Sequence, residues 1–105
     1  MPAANPGDIW IVDPGMAAKV RPCLVLTPRP GGDDLEVYSV VAHTTAVRGG
    51  HWEISMPKSF LADEGVFDVQ RLVTVASVKL ERKLGELAPA EMDKVLDLLA
   101  ERLGI

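Results

Sequence analysis

An arginine, a histidine and two threonines stand at the ends of two short apolar runs, and together these residue types can bind a phosphate. Arg21 opens the run Val20-Arg21-Pro22-Cys23-Leu24-Val25-Leu26-Thr27-Pro28, and His43-Thr44-Thr45 closes the run that begins at Val37. A guanidinium presents a rigid fork of N–H donors that matches phosphate oxygens, and hydroxyl groups add further hydrogen bonds. Imidazole titrates near neutrality, so His43 can also take up or release a proton. His43 and Thr45 are two residues apart and share one face of a strand, whereas Thr44 faces the other side if the strand is regular.

Such a site works only if the two runs lie side by side. Arg29-Pro30-Gly31-Gly32-Asp33-Asp34 between them is a string of turn formers, which predicts an antiparallel hairpin. Pairing Pro28 with Leu35 sets Arg21 opposite Ala42, and a slip of one or two residues brings it opposite His43 or Thr44. Lys19 in the preceding loop, and Arg48 and His51 around the Gly49-Gly50 turn, are further polar groups near these strand ends.

The remaining elements are read outward from this hairpin. Residues 1–6 read as a flexible tail and 7–105 as one domain. Residues 7–13 form a first strand and 14–19 a loop. His51 to Met56 alternates as a strand with Trp52, Ile54 and Met56 on one face. Residues 57–64 suit a short helical turn ended by Gly65, and 65–68 is short and extended. Leu72 to Val78 is rich in β-branched residues and reads as a strand, followed by a connector over 79–87. Pro89, Glu91 and the stripe Met92, Val95, Leu96, Leu99 and Leu103 predict a helix ending at Gly104. The pattern is mainly β with a C-terminal helix, a small antiparallel barrel with its site at a rim.

Composition narrows the function classes. The chain has 105 residues, 48% hydrophobic and 25% charged, which suits an ordinary globular domain. The apolar runs are too short to span a bilayer, and no segment resembles a secretion signal, so a cytoplasmic location is expected. The net charge of −4 argues against a general nucleic-acid coat but allows a local cationic site. Arg71, Lys79, Arg82 and Lys83 form a cationic stretch, read as solvated surface. Cys23 reads as a buried small hydrophobe, Trp10 and Trp52 as core residues rather than base-stacking platforms, and Phe60 and Phe67 as core or interface. One cysteine and two histidines make no zinc pattern, and no metal or cofactor is expected.

Gly7-Asp8-Ile9-Trp10, Arg21-Pro22-Cys23-Leu24-Val25-Leu26, Thr44-Thr45 after an apolar strand, and Lys83-Leu84-Gly85-Glu86-Leu87 before the final helix occur in an order that resembles the MazF/PemK toxins of bacterial type II toxin–antitoxin systems. The similarity spans residues 7–103. It implies an SH3-like barrel, a homodimer, a cognate antitoxin that inhibits it, and metal-independent, sequence-specific cleavage of single-stranded RNA. The family's catalytic arginine maps onto Arg21 and its threonine onto Thr45. His43 is a further candidate for proton transfer, and Lys19, Thr44, Arg48 and His51 are candidates for RNA contact. The acidic balance predicts an antitoxin contact dominated by apolar groups, with local ion pairs at Arg21 and Arg48.

The chain departs from the family where Gly15-Met16-Ala17-Ala18 replaces a Gly-x-Glu-Gln loop and Arg71-Leu72-Val73-Thr74-Val75-Ala76 replaces Gln-x-Arg-Thr-x-Asp. Two alternatives stay open. One is a degenerate relative that binds RNA or an antitoxin without cleavage. The other is a gyrase poison of the same fold; those act through a C-terminal Trp-Gly-Ile, where this chain has Leu103-Gly104-Ile105.

Overall fold

The alternation of apolar side chains along each strand gives the sheet two buried faces. A computed structural model describes residues 2–15 and 19–105, so the expected loop over 14–19 falls partly outside the described residues. The strands are β1 (Asp8–Val12), β2 (Arg21–Val25), β3 (Val37–Thr44), β4 (Glu53–Ile54), β5 (Val66–Ala76) and β6 (Leu80–Glu86), followed by the helix α1 (Pro89–Leu103). They form one antiparallel sheet in the order β4-β5-β3-β2-β1-β6. Leu24 of β2 and Val41 of β3 point to the face on which Val95 and Leu99 of α1 pack. Their neighbours Cys23, Val25, Val40 and Ala42 point to the other face, with Tyr38 and Val75. Each fully buried Leu or Val contributes about 1.5–3 kcal/mol.

This is the expected fold class, with the ladder open between β4 and β6. The 55–65 segment bridges the gap, and its Phe60 ring lies so close over Gly85 of β6 that a Cβ there would meet it at 2.5 Å. That segment was expected to hold a helical turn. It instead contains separate tight turns, with Leu61 N–H donating to Lys58 O at 3.1 Å and Gly65 N–H to Ala62 O at 3.0 Å.

The hairpin forms, but not in the first register considered. Cys23 pairs with Ala42, two residues from the pairing that placed Arg21 there, and the same register carried onward sets Arg21 level with Thr44. The ladder stops early on the loop side because Thr27 Oγ1, rather than a backbone carbonyl, accepts Ser39 N–H at 3.1 Å.

Two strands were misread. β5 starts at Val66 and runs eleven residues through polar Asp68, Gln70 and Arg71. The expected connector over 79–87 is mostly β6, whose exposed Glu81, Arg82 and Lys83 hide its pairing with β1. The fourth strand is a ladder of Glu53 and Ile54 only, although Trp52, Ile54 and Met56 do share the helix-side core. The segment read as a tail is tied at Ala4, which is buried. Ala4 N–H donates to Tyr38 Oη at 3.2 Å, and that hydroxyl donates to Pro2 O at 3.2 Å. Gly7, at φ 94°, lets the chain turn into β1 with its N–H on Val25 O and its carbonyl accepting Leu87 N–H, both at 2.9 Å. The helix begins at Pro89, with Glu91 accepting Ala88 N–H at 2.8 Å, and ends at left-handed Gly104. Among the described residues no helix is long and apolar enough to cross a membrane.

Candidate active site

β2 and β3 deliver their ends to one rim of the sheet. A cavity of about 250 Å³ opens there, lined by Lys19, Arg21, His43, Thr44, Thr45 and Arg71 among others. Arg21 makes no ion pair among the described residues. Asp13, the nearest acid in sequence, instead accepts Gly15 N–H at 2.9 Å. Its guanidinium is therefore left for another anion.

The two threonines divide into different tasks. Thr44 is buried, and its Oγ1 accepts Ala46 N–H at 3.1 Å. That bond ends the strand and turns the chain, a usual use of a threonine hydroxyl. Thr45 follows on the exposed rim, and its hydroxyl makes no hydrogen bond among the described residues. It is the freer donor toward a ligand in the cavity.

His43 is 4% exposed, with its ring edge-on to Phe67 at a centroid distance of 5.0 Å and 73° between planes. Burial pushes its pKa below the usual value, against the opposing pull of Glu64. The neutral imidazole is thus favoured, a form able to accept a proton. The ring presses on Gly65, where any Cβ would overlap it.

The other candidates are scattered. Arg48 stands apart from the main cavity and lines a polar one with Asp68, Gln70 and Arg71. Its loop is held by Glu53, whose carboxylate accepts Arg48 N–H at 2.8 Å and Gly49 N–H at 2.7 Å. Those bonds lower the Glu53 pKa, the Arg48 backbone bond most of all. His51 is not brought to the cavity. Its Nε2 lies 2.7 Å from Glu101 Oε1, and its ring meets Trp52 edge-on, because the β3–β4 turn folds back onto α1. Arg102 caps the other side, 5.3 Å from the Trp52 ring centre.

Arg71 is the cavity residue that sequence reading missed. Reading 71–83 as solvated holds for Lys83, which pairs with Asp8 at 3.3 Å and Glu86 at 3.0 Å, but fails at Arg71. A bulge brings it in. From Val41 to His43 is two steps on β3, whereas their partners Leu72 and Phe67 are five apart on β5. The three surplus residues lie within Asp68–Arg71, and bulges of this kind re-aim side chains at sheet rims. The available signal was a polar interruption, Asp68 to Arg71, between Val66-Phe67 and Leu72-Val73.

Cys23 lies under the site, and burial pushes its thiol pKa up to about 12 despite the nearby Arg21 charge. It is a packing residue, not a nucleophile.

Several solved structures share this architecture. An endoribonuclease from a mycobacterial species matches all of this chain and 95% of its own, with 25% identity and a TM-score of 0.79. An endoribonuclease in complex with its cognate antitoxin, also mycobacterial, matches 98% of this chain and 97% of its own, at 25% identity and a TM-score of 0.80. MazF from Deinococcus radiodurans covers 96% of each chain at 19% identity with a TM-score of 0.75, a likeness of fold alone. No curated protein sequence matches. The family model of PemK-like, MazF-like toxins of type II toxin–antitoxin systems matches residues 5–103, and the chain belongs to that family.

Proposed function

We propose that the protein is the toxin of a type II system, a metal-independent endoribonuclease that cuts single-stranded RNA at a short sequence in the cytoplasm and is held in check by a cognate antitoxin. The observation that carries this reading is the unpaired Arg21 guanidinium beside Thr45 and a neutral-leaning His43 in one rim cavity. RNA brings its own nucleophile. The 2′-oxygen attacks the adjacent phosphorus, the P–O5′ bond breaks, and a 2′,3′-cyclic phosphate and a 5′-hydroxyl result. His43 takes the proton leaving the 2′-hydroxyl, and the departing 5′-oxygen is protonated from solvent. Arg21 donates to the non-bridging oxygens as their charge builds, and Thr45 hydrogen-bonds the phosphate or the 2′-hydroxyl. No step in this scheme needs a metal, because alignment, proton transfer and charge stabilisation all come from side chains.

The reading includes a homodimer. Exposed Val20, Leu72 and Val73 beside the site support pairing with a second copy. The fold resemblance to an endoribonuclease bound to its antitoxin supports an inhibitory partner.

The test is cleavage of a long mixed-sequence RNA in EDTA by wild type, Arg21→Ala and Thr45→Ala, with the ends mapped. Wild type is expected to leave 5′-hydroxyl ends at recurring sites. Arg21→Ala is expected to lose about 10²–10³ in rate, as for removal of one transition-state donor, with a smaller loss in RNA affinity. Equal cutting by all three proteins, or cutting only with added divalent metal, sinks the reading.

A further inference from the structure

Arg71 has no role in the scheme above, yet its setting is that of a ligand-binding guanidinium. Among the described residues its one ion-pair partner is Asp68, with Nε 3.5 Å from Oδ2. That distance is too long for a good hydrogen bond, and Nε is buried without a hydrogen-bond partner. Asp68 is itself buried, and its Oδ1 accepts Gln70 N–H at 2.9 Å and Gln70 Nε2 at 3.4 Å. A carboxylate locked this way stands beside the guanidinium as an ion-pair partner and leaves its N–H donors unfilled. The exposed part of the Arg71 side chain, 37%, faces the cavities it lines.

Those cavities meet at Arg71. It shares the Arg21–Thr45 cavity, an apolar cleft of about 240 Å³ with Arg21, Cys23, Ala42, Leu72 and Val73, and the polar cavity with Arg48 and Gln70. The side chain thus stands between Arg21 and Arg48. In a chain of net charge −4, long-range attraction does not draw RNA in, so affinity must come from local cations in contact with phosphate.

We propose that Arg71 is a second phosphate-binding residue, which grips the phosphate neighbouring the one at Arg21 so that the RNA strand crosses the site from Arg21 over Arg71 toward Arg48. This rests on the endoribonuclease reading for its substrate class, and it is tested by binding rather than by cleavage.

The experiment is a fluorescence-anisotropy titration of a short mixed-sequence single-stranded RNA, methylated at every 2′-hydroxyl so that it cannot be cut. Wild type, Arg71→Ala, Arg71→Gln and Arg71→Lys are compared over a series of KCl concentrations. Loss of one single-strand phosphate contact lowers the slope of log K against log salt by about 0.7. Arg71→Ala is expected to show that drop and to bind about tenfold more weakly, as for a hydrogen bond to a charged group. Arg71→Gln keeps a donor for Asp68, so a merely structural arginine predicts wild-type binding for it, whereas the proposal predicts the same loss as alanine. Arg71→Lys is expected to keep the slope. Should Arg71→Ala fail to melt cooperatively, Arg71→Gln carries the comparison. Unchanged affinity and slope in Arg71→Gln, or no RNA binding by wild type, overturns the proposal. Wild-type cleavage of ordinary RNA is scored separately, so failure of catalysis and failure of this contact are told apart.

Discussion

Replacing Gly65 by alanine should displace His43 from its place beside the cavity. The backbone at Gly65 is not left-handed, so alanine itself is acceptable there. The conflict is one of space, because the added methyl would overlap the imidazole at Cε1, Nδ1 and Nε2 together. The ring cannot simply swing aside, since it is 4% exposed and packed edge-on against fully buried Phe67. Overpacking a core typically costs about 1–3 kcal/mol, and losing the aromatic pair adds about 0.5–1.5 kcal/mol. The midpoint of that sum, about 3 kcal/mol, lowers Tm by about 12–24 °C in a domain of this size. Circular-dichroism melts of wild type, Gly65→Ala, His43→Ala and the double variant measure it. With the imidazole gone the methyl has room, so the added cost of Gly65→Ala in the His43→Ala background should fall within about 0.5 kcal/mol of zero, leaving a large coupling energy. An equal cost of Gly65→Ala in both backgrounds would show that the methyl strikes something other than His43, and the steric argument would be wrong.

Two other outcomes follow from titration. The folded state favours neutral His43, so the unfolded chain, whose histidine titrates at about 6.5, binds the proton first as pH falls. Stability is therefore full above that value and declines below it, until the folded value is passed; urea midpoints taken at several pH values should show a shallower decline in His43→Asn, and parallel curves would contradict it. Cys23, with its thiol pushed up to about 12 by burial, should resist a thiol reagent at neutral pH and react only as the chain unfolds; stoichiometric labelling of the native protein would disprove that.

The parts of the site legible from sequence were those set by local pattern. Arg21 and Thr45 could be placed because each ends an apolar run and the runs flank an evident turn, so an uncertainty of two residues in register still left them neighbours. Trp52, Ile54 and Met56 were sorted correctly because alternation alone decides which face they take. β6 was hidden because its ladder depends on backbone pairing with β1, while Glu81, Arg82 and Lys83 give it no apolar alternation. His51 is on the surface as its turn implies, but its contact with Glu101, fifty residues away on α1, was not legible. Arg71 depended on a mismatch in length between two paired strands, which composition does not record.

That mismatch also separates two kinds of constraint on one strand. On either side of Asp68–Arg71, each residue of β5 is tied to a partner on β3, and a single insertion or deletion there would turn the whole helix-side core outward. Within the four residues the β3 register lapses, although Asp68 still pairs with Glu53 of β4 and Val69 stays buried in the helix-side core. Relatives of this chain can therefore exchange Gln70 and Arg71, which are tied to neither β3 nor β4, while the rest of the sheet keeps its pattern. That pair is a natural cassette: a place where substrate preference drifts during evolution at little cost in folding.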